Sequence, residues 1–145
     1  MMKKLLFFLL ITVLVSCKKD ADKTLVDKNW VIASATITPA VTVGSKTTTD
    51  LLEIAGPGSC EATTILTFSK DGIFTSGANG ALCDLFVNPN AAAITWRRDG
   101  NQIYLSSAPK DPIIQNGNTL TQTIKNAQTY GDTYTVVRVF KAKDR

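Results

Sequence analysis

Side chains able to do chemistry near neutral pH are scarce in this chain of 145 residues. It contains no histidine, which removes the commonest general base and the commonest transition-metal ligand. Asp71, Asp99 and Asp132 each sit beside a glycine, in Asp71-Gly72, Asp99-Gly100 and Gly131-Asp132. That pattern is turn chemistry, because aspartate tolerates positive φ and bonds its own backbone. A glycosidase needs two convergent carboxyl groups about 5–10 Å apart, which acids at separate turns do not supply. No run of alternating acids concentrates oxygen ligands for calcium. Ser45, Ser59 and Ser76 lack both the nucleophile-elbow context and a base. The sequence therefore predicts no enzyme, no metal and no cofactor.

Three cysteines remain, Cys17, Cys60 and Cys83. Cys17 follows Lys3-Lys4, an apolar run from Leu5 to Val13, and Leu14-Val15-Ser16. A basic start, a short apolar stretch and small residues before a cleavage point make a secretory signal. The run is too short for a transmembrane helix, which needs about 20 apolar residues. Leu14-Val15-Ser16-Cys17 resembles the lipobox of bacterial lipoproteins, with Ser16 where Ala or Gly is commoner. The resemblance implies that residues 1–16 are removed and that Cys17 becomes an acylated first residue. Two or more acyl chains hold a protein on a membrane durably, at about 0.8 kcal/mol per buried methylene. Lys18, where inner-membrane lipoproteins often carry Asp, favours the outer membrane. Lys18-Lys19-Asp20-Ala21-Asp22 loosely resembles the basic-then-acidic export signals of Bacteroidetes lipoproteins, with Ala21 interrupting the acids. Residues 17–28 are charged and poor in large apolar groups. They are expected to form a flexible tether reaching about 40 Å when extended.

With Cys17 assigned to lipid, Cys60 and Cys83 are an even pair in an oxidising compartment, and a disulfide between them is expected. A redox or nucleophilic cysteine would want a CxxC motif or a histidine partner, and neither exists. Removing Lys3 and Lys4 leaves fourteen basic against twelve acidic residues. Apart from Lys18-Lys19 and Arg97-Arg98 the basic residues are scattered, so nucleic-acid binding has no electrostatic footprint.

The elements that would position these residues read as strands. Asn29–Ile37 and Thr63–Lys70 are rich in β-branched and aromatic residues. Asp71-Gly72 then leads into Ile73–Thr75, a hairpin signal. Ala92–Arg98 and Gln102–Ser107 flank Asp99-Gly100-Asn101. Thr119–Lys125 follows Asn116-Gly117-Asn118, and Thr133–Lys141 follows Gly131-Asp132. An eighth strand is expected in Val41–Thr49, Asp84–Val87 or Ile113–Gln115. One helical turn is expected at Asp50–Ala55, capped by Asp50 and ended by Gly56-Pro57-Gly58. The fold class is all-β: an antiparallel up-and-down meander of seven to eight strands closing into a barrel over residues 29–145.

The order of these features resembles the lipocalin-like domain of secreted Bacteroidetes lipoproteins. The matching elements are Leu25 to Trp30, Cys60, Leu66-Thr67-Phe68 with Lys70-Asp71-Gly72, Cys83, Ile94-Thr95-Trp96 with Asp99-Gly100, Leu120-Thr121, and Tyr134-Thr135-Val136 to Phe140-Lys141. Lys28 departs from the glycine usual two residues before the tryptophan. The resemblance implies a calycin-type barrel whose interior holds a small apolar ligand. It also implies a structural pair in which Arg138 on the last strand packs across Trp30. Phe68, Phe74, Trp96, Leu105, Val136 and Phe140 either fill the core or line an apolar pocket, with Gln122 and Arg138 as polar handles. The alternative is a filled barrel acting as a protein-interaction module of the cell envelope, through a loop such as Gly77–Asn90.

Overall fold

The computed structural model describes residues 22–145 apart from Ala81, Val87 and Tyr130, so the signal segment and residues 17–21 lie outside the described part. Among the described residues nine strands follow in chain order: β1 (Lys28–Val43), β2 (Lys46–Asp50), β3 (Thr64–Phe68), β4 (Ile73–Ala78), β5 (Ile94–Asp99), β6 (Gln102–Leu105), β7 (Ala108–Asn116), β8 (Thr119–Thr129) and β9 (Asp132–Asp144). Every pairing is antiparallel. From β3 to β9 each strand pairs with the next, and β1 closes the ring by pairing with both β3 and β9. The result is an eight-stranded up-and-down barrel, with β2 paired to the part of β1 that runs on beyond its contact with β3. Closure matters because an open sheet would leave a row of unpaired backbone groups.

Two of the three regions expected to hold a further strand do so, as β2 and as the end of β7. The third does not: Cys83–Phe86 is a short 3₁₀ turn. The strand β7 was partly hidden by Pro109 and Pro112, which cannot donate to a ladder. Its register against β6 shifts between Ile103↔Ile113 and Leu105↔Ala108, so both prolines fall outside the paired positions.

The structure corrects the expected tether at residues 22–28, which belong to a helical turn and the start of β1. Residues 22–27 form a helical turn, α1, and Leu25 and Val26 are buried. The reason is local: two adjacent apolar side chains face the barrel end, and the Trp30 indole N–H donates to the Leu25 carbonyl at 3.0 Å. Leu25, Trp30, Phe68, Ile103, Ile113, Leu120 and Phe140 are all fully buried and fill this half of the barrel. Each such side chain contributes roughly 1.5–3 kcal/mol of burial free energy. The turns at Gly72, Gly100 and Gly117 sit at the same end. Gly72 and Gly100 hold φ of +80° and +59°, a region that glycine enters without steric cost.

Candidate functional site

The opposite end of the barrel is built differently. Asp50 caps a second helical turn, α2 (Leu51–Ala55), its carboxylate accepting from the Leu52 and Glu53 amides at 2.9 and 3.1 Å. Gly56, at φ +85°, ends that turn. Ser59 then folds the chain back on itself. Its hydroxyl donates to the Gly56 carbonyl at 2.7 Å and accepts from the Ala62 amide at 3.1 Å. The Thr63 and Thr64 hydroxyls donate to the carbonyls of Ser59 and Cys60 at 2.8 and 2.7 Å. This tight knot carries Cys60 and Glu61 to the barrel mouth.

Cys60 is bonded to Cys83, with Cα atoms 5.5 Å apart, which ties the knot to the long loop after β4. Gly80 allows that approach. A Cβ there would lie 2.7 Å from the Cys83 sulfur, 2.7 Å from the Gly58 carbonyl oxygen and 2.9 Å from the Ser59 carbonyl carbon. Only glycine fits without moving backbone.

Glu61 meets Arg138 from β9. The guanidinium donates through Nε and Nη2 to the two carboxylate oxygens at 2.5 and 2.8 Å, a bidentate pair about one fifth exposed. Arg138 faces inward because β9 alternates, with Val136 and Phe140 on the same face. Across the ladder, Gln122 lies directly opposite Arg138, while Leu120 opposes Phe140 and Ile124 opposes Val136. Beneath these groups is a recess of about 350 Å³ lined by Glu61, Thr64, Ser76, Ser107, Gln122 and Arg138 at the rim, with Leu66, Phe74, Leu105 and Phe140 below.

Of the residues expected to contact a ligand, Phe74, Leu105, Gln122, Arg138 and Phe140 line this recess. Phe68, Trp96 and Val136 do not. Phe68 is fully buried between Phe74 and Trp96, with ring centroids 5.2 and 5.8 Å away. Trp96 donates its indole N–H to the Ser69 carbonyl at 3.1 Å, which fixes it near the β3–β4 turn. Val136 packs between Ile37 and Ile124, its register partners on β1 and β8. The expected contact of Arg138 with Trp30 is also corrected. Trp30 lies opposite Ala142, whereas Arg138 lies opposite Ala35. β9 runs on to Asp144, so Arg138 sits mid-strand, where a carboxylate rather than an indole face meets its charge.

The sequence does not single out Glu61 or Gly80. The one available signal for Glu61 was its place next to Cys60, as an acid in a stretch otherwise made of small residues. Asp71 and Asp99 turn the closed end and Asp132 turns the other; all three are exposed. Among the described residues, no three of His, Cys, Asp and Glu converge, and no helix is long and apolar enough to cross a membrane.

The fold and the site together describe a small closed β-barrel with a filled base and a polar-rimmed mouth. Compared with known protein families, curated proteins and solved structures, the chain matches none. The chemistry of the mouth has to carry the functional reading.

Proposed function

We propose that this is a membrane-anchored lipoprotein of lipocalin-like type, placed in the outer membrane through acylated Cys17, whose barrel mouth holds a small amphiphilic molecule. The observation that carries the ligand reading is the recess itself. A volume of about 350 Å³ is at the small end of sites for low-molecular-weight ligands. Its apolar floor and hydrogen-bonding rim suit a molecule with a short apolar body and a polar head, rather than the wholly apolar ligand first expected. Ser76, Ser107 and Gln122 spend no side-chain hydrogen bond on a described residue, so the rim has donors and acceptors to offer. The anchor reading rests on the signal segment and the Leu14-Val15-Ser16-Cys17 motif.

Native mass spectrometry of the protein released from its own cells, with Cys17→Ser removing the acyl chains, tests the ligand. The expected result is a bound molecule that is lost on Leu105→Trp, a substitution that fills the recess. An empty wild-type protein in every preparation would overturn the reading. The same Cys17→Ser variant tests the anchor, since it should move from the membrane to the soluble fraction.

A protein partner is the second reading. Leu82 and Leu85 are 70% and 75% exposed on the disulfide-tied loop beside the mouth, among the most exposed large apolar side chains of the described residues. Leu82→Ser with Leu85→Ser should then abolish capture of an envelope protein without changing ligand occupancy.

A further inference from the structure

The geometry points to a carboxylate-binding site at the mouth, in which Glu61 is an internal occupant that a ligand displaces and the Cys60–Cys83 bond holds that occupant in place. This deepens the proposed ligand reading and rests on it. Arg138 offers a planar fork whose geometry matches a carboxylate bidentately. In the closed state that fork is filled by Glu61, at 2.5 and 2.8 Å. Glu61 does not come from the barrel wall. It comes from the Ser59 knot between α2 and β3, an element outside the closed ring of strands. The wall residue that accompanies Arg138 is Gln122, directly opposite it and lining the same recess.

The exchange balances charge. A ligand anion enters the fork of Arg138 as the Glu61 anion swings to water, so the mouth keeps one cation and one carboxylate. The apolar part of the ligand then rests on Leu66, Phe74, Leu105 and Phe140. Because the recess is shallow above a filled base, a short chain fits better than a long one. An ion pair kept only for stability gives little at such a site, since replacing a partly buried pair by apolar groups is often neutral or stabilising. Competition from Glu61 lowers the apparent affinity of the wild-type protein by the fraction of time the fork is already filled. The disulfide sets that fraction, because it fixes the residue preceding Glu61 to the loop whose Gly80 packs on Gly58 and Ser59.

The test uses the mature chain with Cys17→Ser, titrated calorimetrically with sodium octanoate and with 1-octanol at fixed ionic strength. Glu61→Gln should tighten octanoate binding at least tenfold and leave octanol unchanged. The double variant E61Q/R138M, which removes both charges together and keeps the barrel neutral at this site, should lose the preference for octanoate. Cys60→Ser with Cys83→Ser should give an octanoate affinity between wild type and E61Q. Unchanged octanoate affinity in E61Q would overturn the proposal. Equal binding of octanoate and octanol by all forms would also overturn it, while leaving a small-molecule recess in place. Failure of every form to bind either probe would remove both readings. An unchanged affinity in the cysteine variant, beside a tightened E61Q, would overturn the part assigned to the disulfide.

Discussion

The Trp30 indole donates to the Leu25 carbonyl at 3.0 Å, and both side chains are completely buried. A residue five positions before the first long strand residue in the core thus plugs the base of the barrel. Leu25→Ala should cost about 2–5 kcal/mol, the range for removing a buried leucine side chain. Trp30→Phe keeps most of the ring but strands the Leu25 carbonyl, a loss of about 1–3 kcal/mol. Urea unfolding followed by tryptophan fluorescence, with Trp96 as the remaining reporter in Trp30→Phe, measures both. A chain starting at Asn29 should be far less stable than one starting at Asp22. Equal midpoints for those two chains would show that α1 only lies against the barrel.

How much of this was legible follows from where the signals lay. Hairpin strands with an Asp-Gly or Asn-Gly turn announced themselves, as did the Asp50 cap, because each is a local property of a few residues. β7 was half concealed by two prolines whose tolerance depends on a register shift in a neighbouring strand. In sequence α1 looks like tether because the charges of Lys23 and Asp27, which pair on its outer side, mask Leu25 and Val26. At the site, Gln122 and Arg138 were legible from strand alternation alone. Glu61 was not, since its meeting with Arg138 spans 77 residues of chain and depends on a disulfide and a glycine contact.

The Cys60–Cys83 bond closes a separation of 23 residues. In the chain-entropy description such a loop contributes about 3 kcal/mol, so reduction should lower the denaturant midpoint accordingly. Alkylation without reductant should leave Cys60 and Cys83 unlabelled. Gly80→Ala should weaken the same region, because its Cβ would press on the Gly58 carbonyl and the Cys83 sulfur. The expected sign is faster hydrogen exchange at residues 58–64 and easier reduction. A Gly80→Ala protein as resistant to reductant as wild type would refute the close packing.

Acid should loosen the molecule through surface pairs. Lys23 holds Asp27 below the usual carboxylate range, chiefly by a hydrogen bond. Lys46, then Thr48, does the same for Glu53, and Lys28 for Asp144. A folded-state pKa depressed below the unfolded value stabilises above the unfolded value, near pH 4, and that stability is lost as pH falls through the folded one. All three carboxylates are solvent-exposed, so the loss should be small and largely erased by 1 M salt. Nuclear magnetic resonance titration of the carboxyl carbons reads each group directly. Lys28→Gln should return Asp144 to the ordinary range and leave Glu53 where it was.

Arg98 makes the strongest polar prediction at the closed end, because its side chain is only 4% exposed. Its Nε lies 2.6 Å from an Asp22 carboxylate oxygen, Nη1 donates to the Gly100 carbonyl at 3.3 Å, and Nη2 donates to the Gln115 side-chain oxygen. Gln115, itself buried, passes the link on to the Gly117 carbonyl at 3.0 Å. One guanidinium therefore joins the start of α1 to two hairpin turns. Arg98→Ala should cost about 1–3 kcal/mol, since it leaves the buried Gln115 side-chain oxygen without its donor. Asp22→Asn should cost less, because an amide oxygen can still face the Arg98 Nε while the acceptors on Nη1 and Nη2 stay in place. Denaturant unfolding gives both values, and exchange of the Leu25 and Val26 amides reports whether α1 loosens with them. Equal losses from the two substitutions would assign the stability to the charge pair, and the link through Gln115 would then carry none of it.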